Sequence, residues 1–203
     1  VVDETYPSLL LDHAVGALAP AQSLLFDVHL AMKPGARAMA EALEVAGGAL
    51  LERLEPAPMA CQIFIPKAGP GPAIAEPTDP QRAQCLALIG AARLGAGGLA
   101  WRKPAFGPAE VALPIAGAKL ITMPAGGCVP GHDHTGLELT LVLRGALRDE
   151  AGVYQVGDIG FAEAGKVHRP RVEGDRECVC LVAEEGQTRL RTWFGRAAQR
   201  LFH

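Results

Sequence analysis

The first quarter of the chain shows apolar residues at the three- and four-residue steps that are typical of amphipathic helices. Pro7 suits a first helical turn, and a second helix is predicted to begin at Pro20 and to end at Lys33-Pro34-Gly35. A third is expected from about Ala36. Its apolar stripe consists of Met39, Leu43, Ala46, Leu50 and Leu54. The pattern predicts a small helical bundle over residues 1–54, which is marginal as an independent core.

Composition changes over residues 55–97, where we expect a linker. The stretch "EPAPMACQIFIPKAGPGPAIAEPTDP" is dense in Pro, Gly and Ala, as linkers and extended connections are. Its apolar patch "CQIFIP" suits either a strand or a docking segment. A short helix is predicted at "PQRAQCLALIGAARL".

The remaining residues, 98–203, have the pattern of a β domain. Short apolar runs alternate with Gly and Pro at intervals of about ten residues, which is typical of a sandwich or barrel. The sequence therefore predicts an α+β fold of two domains, a small helical bundle followed by a β-barrel.

The stretch "PGHDHTGLELTLVLRG", residues 130–145, carries the candidate chemistry. His132, His134 and Glu138 share the parity of one strand face, and that face is interior if the intervening leucines pack on the other side. Burying such groups without partners costs about 2–7 kcal/mol each, and more for a charge. A divalent metal would remove that cost, and His168 of "GDIGFAEAGKVHRP" is the candidate fourth ligand. Nitrogen and carboxylate ligands suit zinc, iron, manganese or nickel.

These spacings resemble the two cupin motifs. The spacing from Gly126 through the two histidines and the glutamate to Gly145 resembles the first motif in full, and the stretch from Gly157 to His168 resembles the second, with Glu163 where cupins usually have proline. The resemblance covers about residues 100–195. It implies a double-stranded β-helix, or jelly-roll, barrel that binds a metal through the three histidines and the glutamate.

A wider resemblance spans nearly the whole chain. The strings "LLLDHAVGALAPAQSLLFDVHLAM", "LEVAGGALLE", "GLELTLVLRGALRDE", "GDI" and "CVCLVA" resemble the anti-sigma factors of the ChrR type. That resemblance implies a helical domain that sequesters an alternative (ECF) sigma factor. It also implies a cupin domain that binds zinc and senses singlet oxygen or peroxide stress.

The helical part departs from that family at one motif. The family binds zinc there through His-x3-Cys-x2-Cys and an earlier histidine, whereas this chain has His29 followed by Lys33 and Ala36. His13 falls where the family has no ligand. We therefore expect no zinc in the helical domain, and we expect both histidines at the surface or at a helix end.

Apolar helix residues are the candidates for sigma-factor contact, since zinc itself would not make it. The same residues could equally form the chain's own core. They are Leu10, Leu24, Leu25, Met39 and Leu43.

Charge and cysteine content narrow the function classes. The formal net charge is −3 with no basic stripe, which argues against direct nucleic-acid binding. Five irregularly spaced cysteines favour reduced thiols in the cytoplasm, and no apolar run approaches the roughly 18 residues that span a bilayer. Cys178 and Cys180 are expected in the core, while Cys128 has the parity to lie near the metal.

Two alternatives to the regulator stay open, because a fold does not decide a function. A metal with an open coordination position could serve a dioxygenase or an isomerase, although no catalytic residue is evident unless Glu163 points inward. A diverged paralogue could keep the cupin and use its helices for a homodimer. We rank the regulator first.

Overall fold

Helices precede strands along the chain, as the hydrophobic pattern predicts. The computed structural model describes residues 5–55, 79–95, 97–104 and 107–190. The expected strand or docking segment "CQIFIP", most of the expected linker, and the chain after residue 190 lie outside the described residues. The boundaries of the two expected domains stay a prediction.

Four helices are described, and the third begins at Pro34, two residues before its expected start at Ala36. Proline occupies the first turn of the last three, where its missing N–H is not needed. In the last helix the Asp79 side chain caps the N-terminus by accepting from the backbone N of Gln81 at 3.0 Å. The helices are α1 (Thr5–Ala14), α2 (Pro20–Met32), α3 (Pro34–Leu51) and α4 (Pro80–Leu94).

Ten strands follow among the described residues, and all their pairings are antiparallel. They form a five-stranded sheet in the order β1-β2-β9-β4-β7, a pair β10-β3 and a three-stranded sheet β6-β5-β8. Strands far apart in sequence are neighbours, as in a jelly roll. The strands are β1 (Ala109–Ala112), β2 (Ala118–Met123), β3 (His132–His134), β4 (Glu138–Arg144), β5 (Leu147–Arg148), β6 (Val153–Tyr154), β7 (Ile159–Ala162), β8 (Arg171–Val172), β9 (Cys178–Glu184) and β10 (Thr188–Leu190).

The two faces of the five-stranded sheet have different partners. Alternate residues of β4, including Leu139 and Leu141, belong to one buried cluster with Leu24 and Leu25 of α2. The helices thus pack on one face of the strands, and the intervening β4 residues point to the opposite face. Because the hydrophobic core is continuous across helices and sheet, the helical part does not rely on its own small core.

The first two helices and the third differ in burial. Leu10, Leu24 and Leu25 are fully buried, so these candidates for sigma-factor contact belong to the chain's own core. In α3 only Ala40 is buried. Of the predicted stripe, Leu43 is half-buried against the core, whereas Met39 is exposed (43%). Among the described residues, no helix is both long and apolar enough to cross a membrane.

The predicted continuous strand through the two histidines and the glutamate is interrupted. β3 pairs with β10, whereas β4 pairs with β7 and β9. The chain crosses from one sheet to the other at Gly136, where a Cβ would overlap the carbonyl oxygen of Glu185. Only glycine fits so close a backbone approach.

Candidate metal centre

Three histidines and one glutamate converge on the face of the sheet opposite the helices. One potential ligand atom from each of the four lies within 4.8 Å of the others, which is the set that the sequence predicts: His132, His134, Glu138 and His168. β3 supplies the first two, β4 begins with the glutamate, and the fourth lies in the loop between β7 and β8.

A backbone bridge brings the fourth residue to the first two. The N–H of His132 donates to the carbonyl of His168 at 3.2 Å, and the N–H of His168 donates back at 3.0 Å. The N–H of Gly165 donates to the carbonyl of His134 at 2.8 Å. Residues more than 30 positions apart are thus placed by hydrogen bonds between their main chains.

The Nε2 atoms of the three rings point at one another. His168 Nε2 lies 2.9 Å from His132 Nε2 and 3.0 Å from His134 Nε2. His132 Nδ1 lies 2.9 Å from the carbonyl of Pro130, which can only accept, so the Nδ1–H donates and Nε2 is left as a lone pair in the neutral ring. Lone pairs this close repel unless a proton or a metal ion lies among them, so the donor set fits a cation.

Burial keeps the imidazoles of His132 and His168 in the neutral form that binds metals. Burial lowers the pKa of His132, and burial together with the neighbouring rings lowers the pKa of His168 to about 4. Burial also raises the pKa of Glu138, the carboxyl of the set. A bound cation would oppose that last shift by favouring the carboxylate.

Glu184, which the sequence did not point to, contacts the ring of His134. Glu184, the last residue of β9, lies with Oε1 3.3 Å from Nδ1 of His134 and Oε2 2.8 Å from Nζ of Lys119. Burial would raise the pKa of Glu184, but its hydrogen bonds from His134, Lys119 and Thr188 lower it to about 2. The ionised carboxylate accepts the Nδ1–H and orients Nε2 toward the centre, as outer partners of metal-binding histidines do.

A cavity of about 650 Å³ opens beside the cluster. Its volume is in the range of small-molecule sites. Apolar side chains such as Ile121, Met123 and Phe161 line it together with the charged Lys119 and Arg102. The cavity gives the four-residue cluster room for a small ligand.

Four other positions considered in the sequence lie away from the cluster. Glu163 is exposed, so it does not point into the barrel. Cys128 is exposed and stands outside the set, while Cys178 and Cys180 are buried in the core with their sulfurs 3.6 Å apart, as expected.

His29 lies in the last turn of α2, at a helix end as expected, but it is not at the surface. This histidine is only 5% exposed, because it lies against the β part of the molecule. Its Nδ1 lies 2.8 Å from the carbonyl oxygen of Gly157 and its Nε2 lies 2.8 Å from the hydroxyl of Tyr6. His13 is half-buried, with Nε2 3.3 Å from the carboxylate of Asp27.

Comparison with known proteins agrees with this architecture. Residues 116–188 match the family model described as the ChrR cupin-like domain. The chain is 34% identical over 204 residues to the anti-sigma-E factor ChrR of Cereibacter sphaeroides, covering 96% of this chain and 95% of that protein. The crystal structure of Rhodobacter sphaeroides SigE in complex with the anti-sigma ChrR matches with a TM-score of 0.68 and 34% identity, covering 88% of this chain and 96% of the matched chain.

Proposed function

The chain belongs to the ChrR family of anti-sigma factors, and we propose that it sequesters an ECF-type sigma factor in the cytoplasm through its helical part. The observation that carries this proposal is the similarity over 96% of the chain, because it includes the helices as well as the cupin-like residues. The relative of known structure is in complex with SigE.

The exposed apolar residues of α3 suit the contact with a sigma factor. Met39 remains 43% exposed and Leu50 64% exposed, whereas the apolar residues of α2 are used in the core. Unpartnered apolar side chains on a helix favour a protein partner. We therefore expect α3 rather than α2 to contribute apolar contacts.

Co-purification tests this function. The tagged chain should retain an ECF sigma factor of its own organism that is expressed with it, and Met39→Asp should weaken retention. Val153→Asp is the matched control, because Val153 is 38% exposed on β6 of the β part. Failure to retain any ECF sigma factor of the organism would contradict the proposal.

We further propose that His132, His134, Glu138 and His168 bind one divalent metal, and that the metal is zinc. The support is the convergence of four ligand atoms within 4.8 Å and the lowered pKa of His132 and of His168. Bound zinc would supply a Lewis acid beside the cavity. The residues of the chain hold it, and Glu184 orients His134. Iron, manganese or nickel suit the same ligands.

Elemental analysis tests the metal proposal. The full chain should carry one zinc, and a variant with both His132→Ala and His168→Ala should carry none. Metal that remains in this variant would locate a site elsewhere, and iron, manganese or nickel in the wild type would reject zinc.

The cupin part would then receive the signal. The cavity beside the cluster supports this step, because a small molecule or oxidant could reach the cluster there. The family resemblance suggests singlet oxygen or peroxide. The retained sigma factor should be released when the zinc-loaded complex is exposed to such an oxidant, and continued retention would contradict the sensing proposal.

A further inference from the structure

The corner between α2 and α3 lies against a turn of the β part. A single residue, Lys33, joins the two helices in an extended conformation with φ −120° and ψ 95°. Its Nζ lies 2.9 Å from Oδ1 of Asp158. One helical turn earlier, Nδ1 of His29 lies 2.8 Å from the carbonyl of Gly157. Both contacts meet the turn that immediately precedes β7.

The histidine at this corner uses both of its ring nitrogens. A carbonyl oxygen can only accept, so Nδ1–H of His29 donates to Gly157. Nε2 then accepts from the hydroxyl of Tyr6 at 2.8 Å in the neutral ring. Burial lowers the pKa of His29, which agrees with the neutral form. No ring nitrogen is left over for a metal ion.

The turn is shaped to receive the lysine stem. Gly157 has φ 87°, and a Cβ there would lie 2.7 Å from Cε of Lys33. The aliphatic part of Lys33 thus lies on bare backbone. Asp158 in turn accepts from the backbone N of Gln155 at 2.8 Å, which fixes the carboxylate for its ion pair.

The same turn is bonded to the strand that begins with Glu138. The N–H of Gly157 donates to the carbonyl of Val142 at 2.8 Å, and the N–H of Val142 donates to the carbonyl of Asp158 at 3.1 Å. Val142 and Glu138 both belong to β4. A continuous set of hydrogen bonds therefore connects the α2–α3 corner with the strand of the four-residue cluster.

We propose that Tyr6, His29 and Lys33 form an intramolecular docking surface for the Gln155–Asp158 turn, which holds the helices on the β part without a metal ion and couples them to β4. We call these three residues the docking corner. This inference goes beyond the proposed function, since the docking itself needs neither a sigma factor nor a bound metal.

Hydrogen exchange of the full chain, read by mass spectrometry, tests the docking. Lys33→Met keeps the stem and removes the charge, and it should speed exchange in the last turn of α2 and the first turn of α3 by about threefold. His29→Leu removes two buried hydrogen bonds and should speed it by about tenfold or more. Arg37→Met is the control, because Arg37 is exposed and its ion-pair partner, Glu41, lies on its own helix.

Swapping the two charges distinguishes loss of the Lys33–Asp158 ion pair from nonspecific destabilisation by a substitution. Lys33→Asp and Asp158→Lys should each speed exchange at the corner, and the double variant should restore most of the protection. If His29→Leu does not fold, Tyr6→Phe tests the same hydrogen-bonded ring. Unchanged exchange in the Lys33 and Tyr6 variants, or a double variant no better than the singles, would overturn the docking.

The coupling to β4 has its own measurement, which rests on the proposed metal site. Adding zinc to the metal-free chain should slow exchange at the corner of the wild type, and Lys33→Met should reduce that effect by about half or more. Zinc content is determined on the same samples. Full zinc content with unchanged exchange at the corner would overturn the coupling, whereas absent zinc would count against the metal proposal.

Discussion

Glu184 fixes the ring of His134 from behind: its Oε1 lies 3.3 Å from Nδ1, on the side of the imidazole away from the other rings. The second carboxylate oxygen is held by Lys119 at 2.8 Å. His134 itself is fully buried. A buried ring that donates to a fixed carboxylate keeps one tautomer and one orientation, which is what a metal ligand needs.

Removing this carboxylate should weaken metal binding. We expect Glu184→Ala to lower zinc affinity by about 10–100-fold, the range found for outer partners of metal-binding histidines. Glu184→Gln should lose less, because its amide oxygen still accepts from Nδ1 although the charge is gone. Competition with a chromophoric chelator measures the affinity. Glu185→Gln is the control at the next, exposed position, and equal affinities in all four proteins would reject this role of Glu184.

The sequence predicted the three clustered ligands but not Glu184, because Glu184 is distant from them along the chain. His132, His134 and Glu138 lie within seven positions, so strand parity alone groups them. Glu184 becomes their neighbour only because β9 pairs with β4 in a register that sets Glu138 opposite Glu184. That pairing depends on how the whole sheet assembles, and a short sequence motif does not predict it.

The burial of His29 could not be predicted for a similar reason. Its helix was predicted correctly, and the residue was expected at the surface or at a helix end rather than as a metal ligand. The turn that receives it, at Gly157, lies 128 positions later. The contact joins two segments that are far apart in sequence. It therefore could not be predicted from the local pattern of either segment.

The ion pair of the docking corner should be visible in the titration of Asp158. Burial would raise the pKa of Asp158, but Lys33 and the backbone N of Gln155 hold it below its usual value. Stability from this lowered pKa is present above the unfolded pKa and is lost as pH falls through the folded one. Carboxyl-carbon NMR should show the pKa of Asp158 rising in Lys33→Met and staying unchanged in Arg37→Met. A pKa that does not respond to Lys33 would exclude the pair in solution.

Because the core is shared, a helix substitution should destabilise the whole described structure. Leu25 is fully buried in the cluster that also contains Leu139 and Leu181 of the sheet. We expect Leu25→Ala to lower the free energy of unfolding by about 2–5 kcal/mol. Leu50→Ala, at a site that is 64% exposed, should change it by no more than about 0.5 kcal/mol.

Urea unfolding separates a shared core from two independent ones. Far-UV circular dichroism follows the helices, and the exchange of β4 and β9 amides follows the sheet. With a shared core, both signals shift to lower urea in Leu25→Ala. Loss of the helical signal alone, with the sheet unchanged, would show that the helices unfold independently.

Thiol accessibility should follow burial. Cys128 is exposed, while Cys85, Cys178 and Cys180 are buried. We expect an alkylating reagent to modify Cys128 in the native protein and the three buried cysteines only on unfolding, because a buried thiol reacts through opening of the structure. Peptide mapping by mass spectrometry assigns each site. Native labelling of Cys180 as fast as Cys128 would contradict the packing of β9.

Two glycines with nearly the same φ allow the lysine contact to be measured apart from the strain of a positive φ. Gly157 has φ 87° and Gly174 has φ 86°, but a Cβ at Gly157 meets Lys33 at 2.7 Å, whereas nothing lies within 4 Å of one at Gly174. Gly174→Ala should cost about 1–3 kcal/mol from the left-handed conformation alone. Gly157→Ala should cost more, since the Lys33 stem must also move off the turn and loosen its ion pair. In a Lys33→Ala background this difference should disappear, because the contact is already gone. Denaturant midpoints of the six proteins measure the cycle, and a difference that survives Lys33→Ala would assign the extra cost to the turn itself.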